Sequence, residues 1–137
     1  MNDTAPWPGD WLRGVLEVCV LRVLADGPTY GYAIGARLAD AGLGALKGGT
    51  LYPLLARFET AGLVAVEWRA GEGGPGRKYY ALTDDGTRAW QAQAARWASF
   101  ARLTTDLVTS APTTGMPITT DTHATTGPQP AQDGARR

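Results

Sequence analysis

Thr50, Tyr52 and Arg57 carry hydrogen-bond donors within the short stretch Gly48-Gly49-Thr50-Leu51-Tyr52-Pro53-Leu54-Leu55-Ala56-Arg57-Phe58-Glu59-Thr60-Ala61-Gly62. Each can donate to a phosphate oxygen from a surface otherwise made of small residues. Lys47 stands just before the stretch, and Arg77 and Lys78 follow a run of glycines, a setting suited to phosphate or minor-groove contact. The plainer readings are an ordinary surface helix for 48–62 and an edge strand kept soluble by Arg77 and Lys78. A second group is aromatic. Trp90 and Trp97 lie a heptad apart, and Trp97 with Trp11 or Phe100 offers indole surface on which a flat compound can stack, although packing is the default use of aromatics so spaced. Acid–base or nucleophilic chemistry finds little material. No histidine falls between Trp11 and Val108, Cys19 has no base beside it, and no glycine loop leads to a phosphate-binding Lys. The adjacent Asp84 and Asp85 are explained by a helix start, and His123 has no second ligand nearby, so no enzyme activity, cofactor or metal is expected.

The elements that position these residues follow from periodicity. Leu51, Leu54, Leu55 and Phe58 recur at i, i+3, i+4, i+7 and predict a helix of about three turns, with Thr50 as N-cap, Pro53 in the first turn and Gly62 as its left-handed end. Thr50, Pro53, Ala56, Arg57 and Thr60 then look outward, with Tyr52 on the flank. Before it, Asp10 can cap a helix over 11–25 whose core stripe is Leu12, Val15, Leu16, Cys19, Val20, Val23 and Leu24. Trp11, Val18 and Leu21 form a second apolar strip on its far side, which suits a second copy of the chain. Asp26-Gly27-Pro28 is a turn, and Thr29 opens a helix over 30–41 facing inward through Tyr30, Ile34 and Leu38. Helix, glycine-bearing connection, helix is the order of a helix-turn-helix unit.

After Gly62 the period becomes two. Val64, Val66 and Trp68 point one way and Ala65, Glu67 and Arg69 the other; 70–76 reads as an irregular loop, and 77–82 alternates again, so the pair makes a hairpin placed as a wing. Of Tyr79 and Tyr80, one is expected in the core and one outward, and Glu17 and Glu59 are read as ion-pair or cap residues. Thr83-Asp84-Asp85 starts a last helix to about Val108, with Trp90, Ala94, Trp97, Ala101 and Thr104 along one side, a natural dimerisation arm. The fold class expected is mainly α with a small β-hairpin. Its parts are a flexible lead over 1–10, a winged helix-turn-helix domain over 11–83, the dimerisation helix over 84–108 and a disordered Thr/Pro/Gly-rich tail over 109–137.

At 137 residues, with 44% hydrophobic and 19% charged, the chain suits one soluble domain. Thirteen basic and 13 acidic residues give a net charge of zero, so any positive field must come from geometry. The lone Cys19 forbids an internal disulfide and reads as a small buried hydrophobe. Neither a signal peptide nor an apolar run of membrane-spanning length is seen, which implies a cytoplasmic protein.

Taken in order, Leu12-Arg13-Gly14 with Glu17, Gly27-Pro28 then Tyr30-Gly31-Tyr32, Gly49-Thr50-Leu51-Tyr52-Pro53 then Leu55 and Glu59, Gly62-Leu63-Val64, and Arg77-Lys78-Tyr79-Tyr80-Ala81-Leu82-Thr83 with Gly86 resemble the PadR family of bacterial transcriptional regulators. The resemblance covers about 11–107. It implies a winged helix-turn-helix binding palindromic double-stranded operator DNA as a homodimer, usually a repressor, and often released by a small aromatic or cationic effector. It also implies that Thr50, Tyr52 and Arg57 sit on the recognition helix and Arg77 and Lys78 on the wing. Phe58 stands where leucine is more usual, and the last helix is rich in alanine. The competing class is a winged-helix module for protein contacts, which would lack the salt dependence of phosphate neutralisation.

Overall fold

In the computed structural model, residues 7–71 and 73–113 are described; of the tail expected over 109–137, Thr109 still belongs to the last helix, and the part from 114 onward lies outside the described residues. The chain divides into two compact units, Met1–Arg102 and Leu103–Arg137. The elements run α1 (Gly9–Leu24), β1 (Thr29–Tyr30), α2 (Gly31–Leu38), α3 (Gly48–Thr60), β2 (Val64–Gly71), β3 (Gly74–Leu82) and α4 (Asp84–Thr109), with a π-helical turn over Ala39–Leu43 after α2. This is a mainly helical fold with a small antiparallel sheet of order β1-β3-β2, the layout of a winged helix.

α1 starts earlier than its apolar stripe suggests. The Pro8 carbonyl accepts from the backbone N–H of Trp11 and Leu12, at 3.0 and 3.1 Å. Asp10 is therefore not a cap; it sits in the first turn and pairs with Arg13. Nor is the lead free up to residue 10: Gly9 is already helical, and the Trp7 indole donates to the Gly42 carbonyl at 2.7 Å. Leu21, assigned above to the outer strip, is fully buried, while Leu12 is only half-buried. The helix turns its core face toward α2 and the sheet, which rotates the buried stripe to Leu16, Val20, Leu21, Val23 and Leu24.

Thr29 and Tyr30 do not open a helix. They are an edge strand, pairing Thr29 with Tyr80 and Tyr30 with Tyr79. A β-branched and an aromatic residue prefer extended backbone, and the Tyr30 and Tyr79 rings meet with centroids 5.3 Å apart. The expected hairpin is thus the major part of a three-stranded sheet.

α3 buries Leu51, Leu54, Leu55 and Phe58, the stripe that predicted it. Its start is earlier than expected. The Lys47 carbonyl accepts from Thr50 and Leu51 N–H at 2.9 and 3.1 Å, so Thr50 is in the first turn and its hydroxyl is not used as a cap. Pro53 then lies inside the helix, leaving the exposed Gly49 carbonyl without its i+4 donor. The end is as predicted: Gly62 takes φ 78°, its N–H reaches Glu59 O at 3.1 Å, and Leu63 N–H reaches Phe58 O at 2.9 Å, a Schellman closure.

The glycine-rich run is strand, not irregular loop. Gly71 pairs with Gly74, and Gly73 at φ 66° lets the chain reverse between them. The ladder shifts register between Arg69 and Gly71, where Pro75 and Gly76 stand opposite Ala70. Thr83 caps α4, accepting from Gly86 N–H at 3.0 Å and donating to the Gly62 carbonyl at 2.7 Å. Trp90 and Ala94 are half-buried on the predicted side of this helix. In the second unit, Leu103, Leu107 and Val108 are exposed, and the Thr109 hydroxyl donates to the Thr105 carbonyl at 2.7 Å.

Candidate nucleic-acid interface

α3 presents three surfaces beside its buried stripe. Gly49, Pro53, Ala56 and Thr60 share the outermost face, all exposed. With so little side chain there, another backbone can approach the helix closely. Thr50 and Arg57 lie on one flank and Tyr52 on the other. Lys47 is exposed at the N-cap, where its charge adds to the unsatisfied N–H groups of the first turn.

The Tyr52 flank and the wing enclose a groove of about 640 Å³, bordered by Tyr32, Tyr52, Ala56, Trp68, Arg77 and Lys78 among others. Tyr52 is 49% exposed, and it fits because residue 31 is glycine: a Cβ there would stand 2.6 Å from the Tyr52 ring carbons. Lys78 is held at 3.5 Å from the Glu59 carboxylate and lies over the Tyr80 ring at 5.6 Å. Tyr80 is the buried member of the tyrosine pair, and burial pushes its hydroxyl pKa up. Tyr79 is half-buried on the sheet's other face, in a basic–aromatic ladder: Arg69 lies 4.3 Å over Tyr79, and Arg77 lies 4.5 Å over Tyr30. Arg77 and Lys78 leave β3 on opposite faces, yet both border the groove.

The Thr50 flank opens on a different cleft of about 560 Å³, shared with Arg13, Glu17, Arg96, Trp97 and Phe100. Arg57 there reaches Glu17 at 3.4 Å. Glu17 and Glu59 are thus ion-pair residues, as the sequence suggested. The candidate DNA residues therefore do not form one patch: Tyr52, Arg77 and Lys78 meet on the wing side, Thr50 and Arg57 on the side of α1. The candidate ligand residues also separate. Trp97 and Phe100 share the second cleft; Trp90 and Trp97 share a third, more apolar one of about 710 Å³ with Cys19 and Arg22; Trp11, 64% exposed, borders none of these. Arg22 lies 5.7 Å over the Trp90 ring, and burial pushes the Cys19 thiol pKa up, which disfavours its thiolate.

Sequence reasoning missed Tyr32, Arg69 and Trp68. Tyr32 and Trp68 are exposed by 78% and 68%. The signal for Trp68 was present: it follows Val64 and Val66 on the inward face, but the strand by then has run past the edge of the core.

The family model described as the transcriptional regulator PadR-like family matches residues 20–92. No curated protein matches the chain. Among solved structures, a PadR family transcriptional regulator from Eggerthella lenta DSM 2243 is 39% identical, with a TM-score of 0.67 over 74% of this chain and 88% of its own. A PadR-like transcriptional regulator from Bacillus cereus strain ATCC 14579 is 30% identical, with a TM-score of 0.68 over 75% of this chain and 100% of its own. A transcriptional regulator from Clostridium thermocellum is 28% identical, with a TM-score of 0.64 over 73% of this chain and 99% of its own.

Proposed function

Since this chain belongs to the PadR-like family of transcriptional regulators, which bind DNA and are not enzymes, we propose that it is a homodimeric, sequence-specific repressor that reads a palindromic operator through α3. The observation that carries this reading is the outer face of α3, stripped to Gly49, Pro53, Ala56 and Thr60 and bordered by donors and cations: Lys47, Thr50 and Arg57 with Tyr52, Arg77 and Lys78. Small residues admit the groove wall, and the flanking donors reach phosphates on either side. Residues 11–83 form the DNA-binding part, and α1 and α4 supply the dimer contacts, which would set two recognition helices about 34 Å apart, one DNA turn. Exposed Trp11 and Phe100 and partly exposed Trp97 support that use of α1 and α4. The effector is a small aromatic or cationic compound that stacks on Trp97. No helix among the described residues is long and apolar enough to cross a membrane.

The test is anisotropy of the purified protein on the DNA upstream of its own gene and on a scrambled duplex, at two salt concentrations. Tight, salt-sensitive preference for the native fragment is expected. Equal, weak and salt-insensitive binding to both would favour a winged-helix module for protein contacts instead.

A further inference from the structure

We propose that Trp68 is a DNA-contact residue, closing its indole over the sugar edge of one strand of a duplex seated between α3 and the wing. The inference rests on the DNA-binding reading above and adds an apolar contact to it. Trp68 shares a sheet face with Val64 and Val66, but that face leaves the core as it rises: Val64 is buried, Val66 half-buried and Trp68 68% exposed. A fixed backbone pairing with Lys78 holds it there, and its ring lies against the strand where a Cβ at Gly76 would meet Trp68 Cε3 at 3.8 Å. So large an apolar surface, carried on a paired strand at the rim of a groove, is suited to being covered.

Charge says by what. Among the described residues, those bordering the groove include Arg77 and Lys78 and no carboxylate; Glu59 pairs with Lys78 but stands outside the lining. Tyr32 and Tyr52 line the opposite wall, and Ala56 connects the groove to the small outer face of α3. A polyanion with flat or apolar sugar and base edges satisfies both features, because its phosphates meet the cations while the deoxyribose covers the indole. An uncharged peptide strand or a neutral aromatic molecule would bring Arg77 and Lys78 no negative partner.

The experiment compares the full-length protein with its Trp68→Ala, Trp68→Phe and Lys78→Ala variants, binding the labelled upstream duplex across a salt series. Trp68→Ala is expected to lose roughly tenfold in affinity, about 1.4 kcal/mol, with the slope of log K against log salt unchanged, since no phosphate charge is released. Trp68→Phe should recover most of the loss, and Lys78→Ala should flatten the slope by about 0.9. The Trp68 share of the emission, obtained by subtracting the Trp68→Phe spectrum, should shift when the duplex is added. Wild-type-like affinity of Trp68→Ala on a duplex that the parent binds tightly overturns the proposal alone, as does an unshifted Trp68 emission. Failure of the parent to prefer any duplex overturns the DNA reading together with it.

Discussion

Asp26 accepts hydrogen bonds from Arg22 at 2.8 Å and Arg37 at 2.9 Å, tying the end of α1 to α2. The Arg22 bond first, then that from Arg37, and after them the charges of both guanidinium groups, hold its carboxyl below its usual pKa. A carboxylate whose folded pKa is depressed stabilises the fold above its unfolded value, near pH 4, and loses that contribution as pH falls through the folded one. Asp26→Asn should therefore lower Tm at neutral pH, and the gap from wild type should close on acidification below about pH 4, read by thermal melts along a pH series. A second residue offers a test of binding rather than of stability. A methyl at position 31 would displace Tyr52 by its ring end, which can swing away. Gly31→Ala should leave Tm within a few degrees of wild type yet weaken duplex binding several-fold, and Tyr52→Ala should show the same loss. Thr50, Tyr52, Arg77 and Lys78 were legible as polar groups on exposed periods. That the Tyr52 flank of α3 faces the wing and the Thr50–Arg57 flank faces α1 was not, because helical period gives an angle around one axis and says nothing of which neighbour fills each side.

α4 meets the wing through Gly86, whose added Cβ would collide with the Leu63 carbonyl oxygen and stand 3.0 Å from Leu82 Cδ2. Here the obstacle is backbone, locked from both sides: Leu63 O accepts from Thr83 N–H at 3.0 Å, and Thr83 donates to Gly62 O. Gly86→Ala should cost about 2–3 kcal/mol, as overpacking does, measured as a fall in denaturation midpoint. Gly14→Ala, with nothing within 4 Å of its Cβ, should be neutral or slightly stabilising on α1. The contrast shows which elements the sequence could specify. The α3 stripe and the Thr83 cap are local signals, and both were readable. The strand at Thr29–Tyr30 depends on pairing with Tyr79 and Tyr80, about fifty residues later, so local pattern alone allowed a helix start. Gly71 and Gly74 join the ladder because β2 and β3 keep zipping up to the turn, a tertiary cause that glycine's weak strand preference conceals.

At the scale of the whole molecule, the proposed dimer would join two modest half-site contacts into one operator contact. Phe100 is 63% exposed and borders the cleft that also holds Trp97 and Arg57. A charge placed there spends no core packing of the protomer, yet would sit badly in any apolar contact with a second copy. Phe100→Glu should keep the wild-type circular dichroism and Tm of a folded protomer at low concentration while shifting sedimentation from dimer to monomer. Once the two α3 helices are no longer tethered, the second half-site stops being an intramolecular target, and the advantage of a full palindrome over a single half-site, of order 10²–10⁴ for linked sites, should vanish. Wild type and variant would then bind the isolated half-site alike, because none of Tyr52, Trp68, Arg77 or Lys78 is touched. A variant that stays dimeric, or a monomer that retains the preference for the full site, would place the dimer contact elsewhere on the chain and free the cleft of Trp97 and Phe100 for the effector alone.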